Sequence, residues 1–195
     1  MDDEIVIRAG VPAELKAPAS SLYCTAFDAK LTPFLGSKDR AARFLAQGLA
    51  TDRAIVAIRA DQIVGIAGFK RGARGLFEPG FAAFWREYGW TSLFRIAGLA
   101  MLERAEDNSA LLMDGIAVDP SVRGQGIGTR LLEAIEAHAR EQHLSRIRLD
   151  VIDTNPGARR LYERFGFEAI KTSGIGPFRL IFPFRASTQM HKQLS

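Results

Sequence analysis

The chain has 195 residues, 47% hydrophobic and 25% charged, a balance that supplies a sizeable core and excludes a disordered polymer. Its net charge of +4 and pI near 9.5 favour anionic ligands. The Arg and Lys residues are dispersed among acids without a basic, aromatic-interleaved run, which argues against a nucleic-acid binder.

The chain opens on MDDE, without a cationic leader. EIVIRAG then reads as a short strand, followed by a helical region broken by Pro12, Pro18 and Pro33. Within that region lies Cys24, the single cysteine, so an intramolecular disulfide is excluded and the thiol reads as core filling. RAIVAIRA and QIVGIAGFK, with only Asp61 near their junction, predict a tight antiparallel hairpin. Residues 71–108 are rich in aromatics, including Phe77, Phe81, Phe84, Trp85, Tyr88, Trp90 and Phe94. Their helical spacing predicts one or two helices inserted between strands. That insertion covers the sheet, lines an acceptor pocket or forms a homodimer surface. The most apolar run, Ile96 to Leu102, is far shorter than the ~20 residues of a bilayer span. A soluble, cytoplasmic protein that does not enter a membrane is expected.

From Ala110 the pattern sharpens. LLMDGIAV is a nearly continuous apolar strand of the kind buried on both faces. Asp114 interrupts it with a carboxylate that needs a partner or a function. Gly115 marks a bulge where ladder bonds are released. After RGQGIGT, residues Ile127, Leu131, Leu132, Ile135 and Ala139 form the apolar stripe of a helix, with Glu136 and Arg140 paired on its polar side. RIRLDVI alternates as a strand, which completes a βαβ unit with a parallel strand pair. Asn155-Pro156 supplies the cap and first residue of another helix, which Gly166 ends. FEAIKT and FRLIFPF read as closing strands around SGIGP, and the polar tail after Arg185 as frayed. His138, His143 and His191 make no metal-ligand cluster with Cys24, so no metal is expected.

The glycine stretch lies between a strand and a helix, where the first-turn N–H groups are unpaired and carry partial positive charge. Without Cβ atoms at Gly124, Gly126 and Gly128, phosphate oxygens can reach amides from Gly126 through Thr129, with Arg123 as a charged clamp. The alternative is a turn that merely packs against the sheet. A dinucleotide fingerprint begins with Gly124-x-Gly126 and Asp150 follows at a suitable distance, but its third glycine position holds Thr129 and DPSVR separates strand from glycines. A triphosphate loop lacks its Gly-Lys-Ser/Thr.

The pattern Arg123-x-x-Gly126-x-Gly128, within DGIAVDPSVRGQGIGTRLLEAIEAHA and followed by NPGARRLYERFGFE, resembles the GNAT superfamily of N-acetyltransferases. The resemblance is strong over 110–168 and implies one domain over 1–195, with 110–168 as the acetyl-CoA-binding core and 71–108 as a helical insertion before the fourth strand. The implied fold is α/β, a mixed, largely antiparallel sheet flanked by helices, with the coenzyme between two splayed parallel strands. Arg123, Gly124, Gln125, Gly126, Ile127, Gly128 and Thr129 would then cradle the pyrophosphate of acetyl-CoA. The main chain of Ile116, Ala117 and Val118 would pair with the pantetheine arm, and Asn155 would hydrogen-bond its amides. Tyr162 would be the general acid near the coenzyme sulfur, although it also fits an ordinary apolar stripe. Asp114 would be the base, directly or through water, or else a buried partner of an Arg or a residue facing solvent at the strand edge. The implied reaction is direct transfer, in a ternary complex, to a primary amine of a small molecule or protein. A non-catalytic acyl-CoA sensor and a Rossmann-type nucleotide binder are the alternatives.

Overall fold

In the computed structural model, which describes residues 4–72, 74–100 and 109–194, seven strands share one sheet. They are β1 (Val6–Ala9), β2 (Ala54–Arg59), β3 (Gln62–Lys70), β4 (Ala110–Val118), β5 (Arg146–Ile152), β6 (Glu168–Gly174) and β7 (Ala186–Gln193). The order is β1-β2-β3-β4-β5-β7-β6, antiparallel throughout except for the β4–β5 pair. The β2–β3 turn forms as expected: Ala60 and Asp61 both have positive φ, at 46° and 58°, so two residues reverse the chain with the strand twist preserved.

Helices cover both faces. On one, α6 (Ile127–Glu141) and α7 (Pro156–Arg164) pack over the central strands. Ile127, Leu131, Leu132, Ile135 and Ala139 of α6 are all buried, as their four-residue spacing requires. They meet Leu111 and Met113 of β4 and Ile147, Leu149 and Val151 of β5. The opposite face is covered by α1 (Lys16–Ala26), with α2 (Asp28–Leu35), α3 (Lys38–Gln47), α4 (Phe81–Tyr88) and α5 (Ser92–Ala100) grouped around it.

The insertion is therefore helical through α4 and α5, while Ala73 and 101–108 lie outside the described residues. Its aromatics divide. Phe84 and Tyr88 are buried against Phe44, whereas Phe81, Trp85, Trp90 and Phe94 are exposed. Tyr88 donates its hydroxyl to the Leu35 carbonyl at 2.9 Å, and the guanidinium groups of Arg40 and Arg95 each lie 4.4 Å from its ring centroid. One aromatic side chain thus locks α4 to α2.

Three expectations are corrected. Pro18 lies in the first turn of α1, where its missing N–H is tolerated, and Pro33 lies inside α2; the breaks fall at Phe27 and at Gly36, whose φ is 81°. FRLIFPF is not a strand: a 3-10 turn spans Gly176–Leu180, and the segment leaves the sheet with Phe182 and Phe184 buried and Leu180 and Ile181 exposed. The polar tail is not frayed but forms β7, paired with β5 over seven residues and with β6 on its other edge. Only Thr188 and Met190 turn fully inward from β7, so its apolar content is too low to advertise a strand.

Lys192 shows how firmly that tail is held. Its Nζ donates to Glu136 Oε2 at 2.6 Å and to the Phe165 carbonyl at 2.9 Å, and lies 3.9 Å from the Phe165 ring centroid. Burial opposes ionisation of Glu136, but the hydrogen bonds from Lys192 and Arg140 outweigh it and hold the carboxyl below its ordinary range. Lys192→Ala is expected to lower unfolding free energy by about 1.5–3 kcal/mol at neutral pH, the range for charge-assisted hydrogen bonds. Because the folded Glu136 pKa lies below the unfolded one, its ionic stabilisation is lost as pH falls through the folded value. Denaturant titrations should therefore show the wild-type advantage narrowing in acid.

Candidate active site

Parallel pairing between β4 and β5 is brief. It joins Ala110 to Arg146, Leu111 to Ile147 and Leu112 to Arg148, and among the described residues no later ladder pair links the two strands. Beyond it the strands part. Neither is left loose: β5 pairs with β7 from Arg146 to Ile152, and β4 pairs with β3 out to Val118 opposite Gly65. The main chain of Ile116, Ala117 and Val118 thus edges a gap in the middle of the sheet.

A bulge sits where the gap opens. Met113 faces Phe69 and Gly115 faces Gly68, which leaves Asp114 as the extra residue. The bulge reverses the side-chain alternation. Leu111 and Met113 pack toward α6 before it and Ile116 and Val118 after it, while Ala117 packs toward α1. Gly115 has φ of 141°, and a Cβ there would lie 2.4 Å from Phe27 Cζ, so this position accepts only glycine. Asp114 Oδ2 accepts the Leu76 N–H at 3.4 Å.

The connection from β4 to α6 is braced at its start. Asp119 accepts the Ser121 N–H at 2.8 Å and its hydroxyl at 2.6 Å, and these bonds hold the Asp119 pKa below the usual carboxylate range. Arg123 Nε donates to the Val118 carbonyl at 3.3 Å, which sets its exposed guanidinium beside the end of β4. Gly124 and Gly126 are left-handed, with φ of 81° and 75°, and both stand in open space. Gln125 between them is exposed. Gly126 caps α6 with no side-chain hydrogen bond to the first turn, in contrast to α7, where Asn155 Oδ1 accepts the Ala158 N–H at 3.0 Å. The amides of Ile127, Gly128 and Thr129 therefore begin a helix without a capping side chain. Gly128 also serves the packing of the helices, since a Cβ there would lie 2.9 Å from Leu161 Cδ2 and its bareness lets α6 approach α7. The Ile127 side chain belongs to the core, and only its main chain can serve a ligand.

On the opposite face, a cavity of about 960 Å³ lies over the gap. Asp114 and Asp150 line it, each two residues beyond the last parallel pair. Its walls include Phe34 of α2, Leu99 of α5, and Phe178, Phe182 and Phe184 of the segment joining β6 to β7. Tyr162 is not among the lining residues. It is buried on the α6 face, its ring 5.8 Å from that of Phe167. The structure thus sets Asp114 at the gap and the start of the glycine loop beside the end of β4, and places Tyr162 and Asp114 on opposite faces of the sheet.

Sequence reading missed the phenylalanine walls, which come from segments far apart in the chain. It also considered Asp150 only as a ribose ligand, whereas the residue lines the cavity. Cys24 is buried beside α3 and α4, and burial, with the charge of Asp28 second, pushes its thiol up to about 12. Burial lowers the pKa of His138, which packs against Phe69 with ring centroids 4.8 Å apart. Among the described residues, no group of three His, Cys, Asp or Glu side chains is arranged to hold a metal ion, and no helix is long and apolar enough to cross a membrane.

The model of the acetyltransferase (GNAT) family matches residues 22–167. The spermine/spermidine N(1)-acetyltransferase of Bacillus subtilis (strain 168) is 35% identical over 80 residues, 37% of this chain and 53% of that protein. The match thus spans about half the length of the curated relatives. Among solved structures, an N-acetyltransferase from Staphylococcus aureus Mu50 superposes with a TM-score of 0.62 at 17% identity, covering 98% of this chain and 99% of that one. The yncA structure from Salmonella typhimurium, which contains acetyl-CoA, gives 0.63 at 15% identity and covers 98% and 94%. At such identities the likeness shows the fold.

With its thiol at about 12, Cys24 is expected to be ionised in roughly one molecule in 10⁴ at pH 8 and to resist modification. An aromatic disulfide reagent should detect no thiol within minutes in the native protein and one per chain after denaturation. Prompt reaction of the native protein would show that the thiol is accessible.

Proposed function

The chain belongs to the GNAT family of acetyltransferases, and from that premise we propose that it transfers the acetyl group of acetyl-CoA directly to a primary amine bound in the same complex. One observation carries the reading: the sheet opens between β4 and β5 with an uncapped, glycine-bordered helix start at one side and a cavity on the other. The residues present fit the coenzyme. Left-handed Gly124 and Gly126 leave open space, and the first-turn amides lack a capping side chain. Acetyl-CoA supplies the acetyl group as a thioester.

In this reading the amides of Gly126, Ile127, Gly128 and Thr129 hold the pyrophosphate, aided by the α6 dipole. Arg123 exchanges its bond to the Val118 carbonyl for a phosphate oxygen, and Gly124 and Gln125 border the cradle. The main chain of Ile116, Ala117 and Val118 pairs with the pantetheine arm as a strand would. The N–H of Val118 polarises the acetyl carbonyl, which concentrates negative charge beside a fixed donor as reaction proceeds. Asn155 uses Oδ1 as a helix cap, and its amide nitrogen donates to the arm.

Asp114 takes a proton from the ammonium group on the cavity side, directly or through water. The amine nitrogen then bonds to the acetyl carbon and releases its second proton to water as the carbon–sulfur bond breaks, while Tyr162 protonates the departing thiolate from the α7 side and regains its proton from solvent. The opposed placement keeps the proton acceptor for the amine and the proton donor for the thiolate apart, one on the cavity side and one on the α7 side. Each proton-transfer group supplies on the order of 10²-fold in rate.

Acetyl-CoA and CoA are expected to raise the melting temperature, whereas NAD and ATP at equal concentration leave it unchanged. At one hundred times Kd the stabilisation is about 2.7 kcal/mol, a shift of several degrees. A response confined to NAD or ATP would overturn the proposal. Tyr162→Phe should retain the CoA-induced shift and lose about 10²-fold in kcat. Asp114→Asn should lose a similar factor and flatten the acid limb of the pH–rate profile, since an amide cannot titrate. Unchanged turnover in either variant removes that residue from the mechanism.

A further inference from the structure

The chemistry of the cavity bears on which amine enters it. Its volume of about 960 Å³ is at the upper end of small-molecule sites, so it accommodates far more than a short alkylamine. Among the described residues it presents three carboxylates, Glu78, Asp114 and Asp150, and two ammonium groups, Lys30 and Lys70. Glu78 is already held by Arg74, whose Nε lies 3.3 Å from its Oε2. Two of the carboxylates, Asp114 and Asp150, lie at the sheet gap, where transfer would occur.

Away from the gap, the walls are aromatic and aliphatic. Phe34 meets Phe182 edge-to-face with centroids 5.6 Å apart, and Phe182 lies 5.0 Å from Phe184. These contacts bind α2 to the segment between β6 and β7, so the wall is a packed unit. Gly98 of α5 packs directly against it: a Cβ there would lie 2.1 Å from Phe34 Cε1. Phe178, half-buried, continues the lining.

We propose that the acceptor is an amphiphilic monoamine, with one primary ammonium group directed to Asp114 and Asp150 and an aromatic or branched apolar body seated against Phe34, Phe178 and Phe182. The inference rests on the acetyltransferase reading and specifies its acceptor. A single cation suits a site whose two gap carboxylates, Asp114 and Asp150, lie at one end of a largely apolar lining. A linear polyamine would carry two or three further cations past Lys30 and Lys70 and along a wall with no carboxylate among its phenylalanines. Desolvating those charges without partners is heavily unfavourable. The apolar body of a monoamine instead gains by leaving water. This sets the chain apart from the spermine/spermidine acetyltransferase to which part of it is similar.

The test uses the full chain saturated with CoA and measures binding of 4-phenylbutylamine, butylamine and spermidine by calorimetry, alongside CoA-thiol release from acetyl-CoA with each amine. 4-Phenylbutylamine is expected to bind at least ~10-fold more tightly than either competitor, within the discrimination available to a hydrophobic pocket. Phe178→Ala, at a half-buried position, should weaken 4-phenylbutylamine ~5-fold or more and leave butylamine within ~2-fold. Phe34→Ala provides the same comparison from α2, and a CoA-induced melting shift in each variant verifies its fold. Spermidine or butylamine binding as tightly as 4-phenylbutylamine overturns the inference, as does equal loss of both monoamines in the folded variants. Failure of the underlying reading looks different: no melting shift with acetyl-CoA and no thiol release with any amine.

Discussion

The early end of the parallel β4–β5 ladder is the constraint on which the arrangement depends. Opening a sheet in its middle exposes main-chain donors and acceptors on both sides of the break. Each such group left buried without a partner costs about 1–3 kcal/mol. The fold limits that penalty by giving both strands a second neighbour. β5 is paired along its whole length with β7, and β4 with β3 to its last residue. The halves of the sheet are therefore self-sufficient, and the edges that face each other beyond Leu112 and Arg148 are available to another chain-like partner. Parallel strands joined by a helical crossover lend themselves to this, since α6 holds them in one layer without requiring every ladder bond.

The bulge at Asp114 turns this opening into a site with two chemically different sides. Without the extra residue, alternation would carry the apolar face of β4 unbroken to Val118. With it, a carboxylate projects toward the cavity while Ile116 and Val118 rejoin the core beneath α6. Glycines in this region are bare for different physical reasons. Gly115 makes room for Phe27, and Gly128 for Leu161, whereas Gly124 and Gly126 supply left-handed turns in open space. Only the latter pair and the uncapped amides beside them form a surface that a phosphate can approach.

That division explains what the sequence disclosed. Residues 110–166 are contiguous, and each element there announces itself locally: the apolar run of β4, the four-residue stripe of α6, the alternation of β5, and the Asn155 cap. The bulge was legible in Gly115, but Asp114 could be placed at the gap only once the pairing with β3 was known. β7 was missed because its identity comes from its neighbours. Ser187, Gln189 and His191 are polar, and the hydrogen bonds to β5 and β6 do not depend on side-chain hydrophobicity. FRLIFPF misled in the opposite sense. Its apolar density suggested a strand, yet Pro183 cannot donate to a ladder, and the phenylalanines fill the space beside the sheet.

The same segment shows why the coenzyme side and the acceptor side differ in how readily they can be read. Residues 175–185 form a long connection pinned at its base. Ile175 N–H donates to the Arg185 carbonyl at 2.9 Å, and Arg185 N–H reaches both oxygens of Asp153 at 3.2 Å. Between these anchors the chain need only keep Phe182 and Phe184 inward. Its outer residues, Leu180 and Ile181, bear no structural load that their exposure reveals. A connection so mounted can change its lining side chains without disturbing the register of β6 and β7, and a rigid sheet carrying variable loops is the usual way specificity is altered. The acceptor wall joins this connection to α2 and α5, segments distant in sequence whose contacts exist only in the folded chain. The proposed coenzyme site is thus written in one continuous stretch, while the shape of the proposed acceptor site arises from long-range packing.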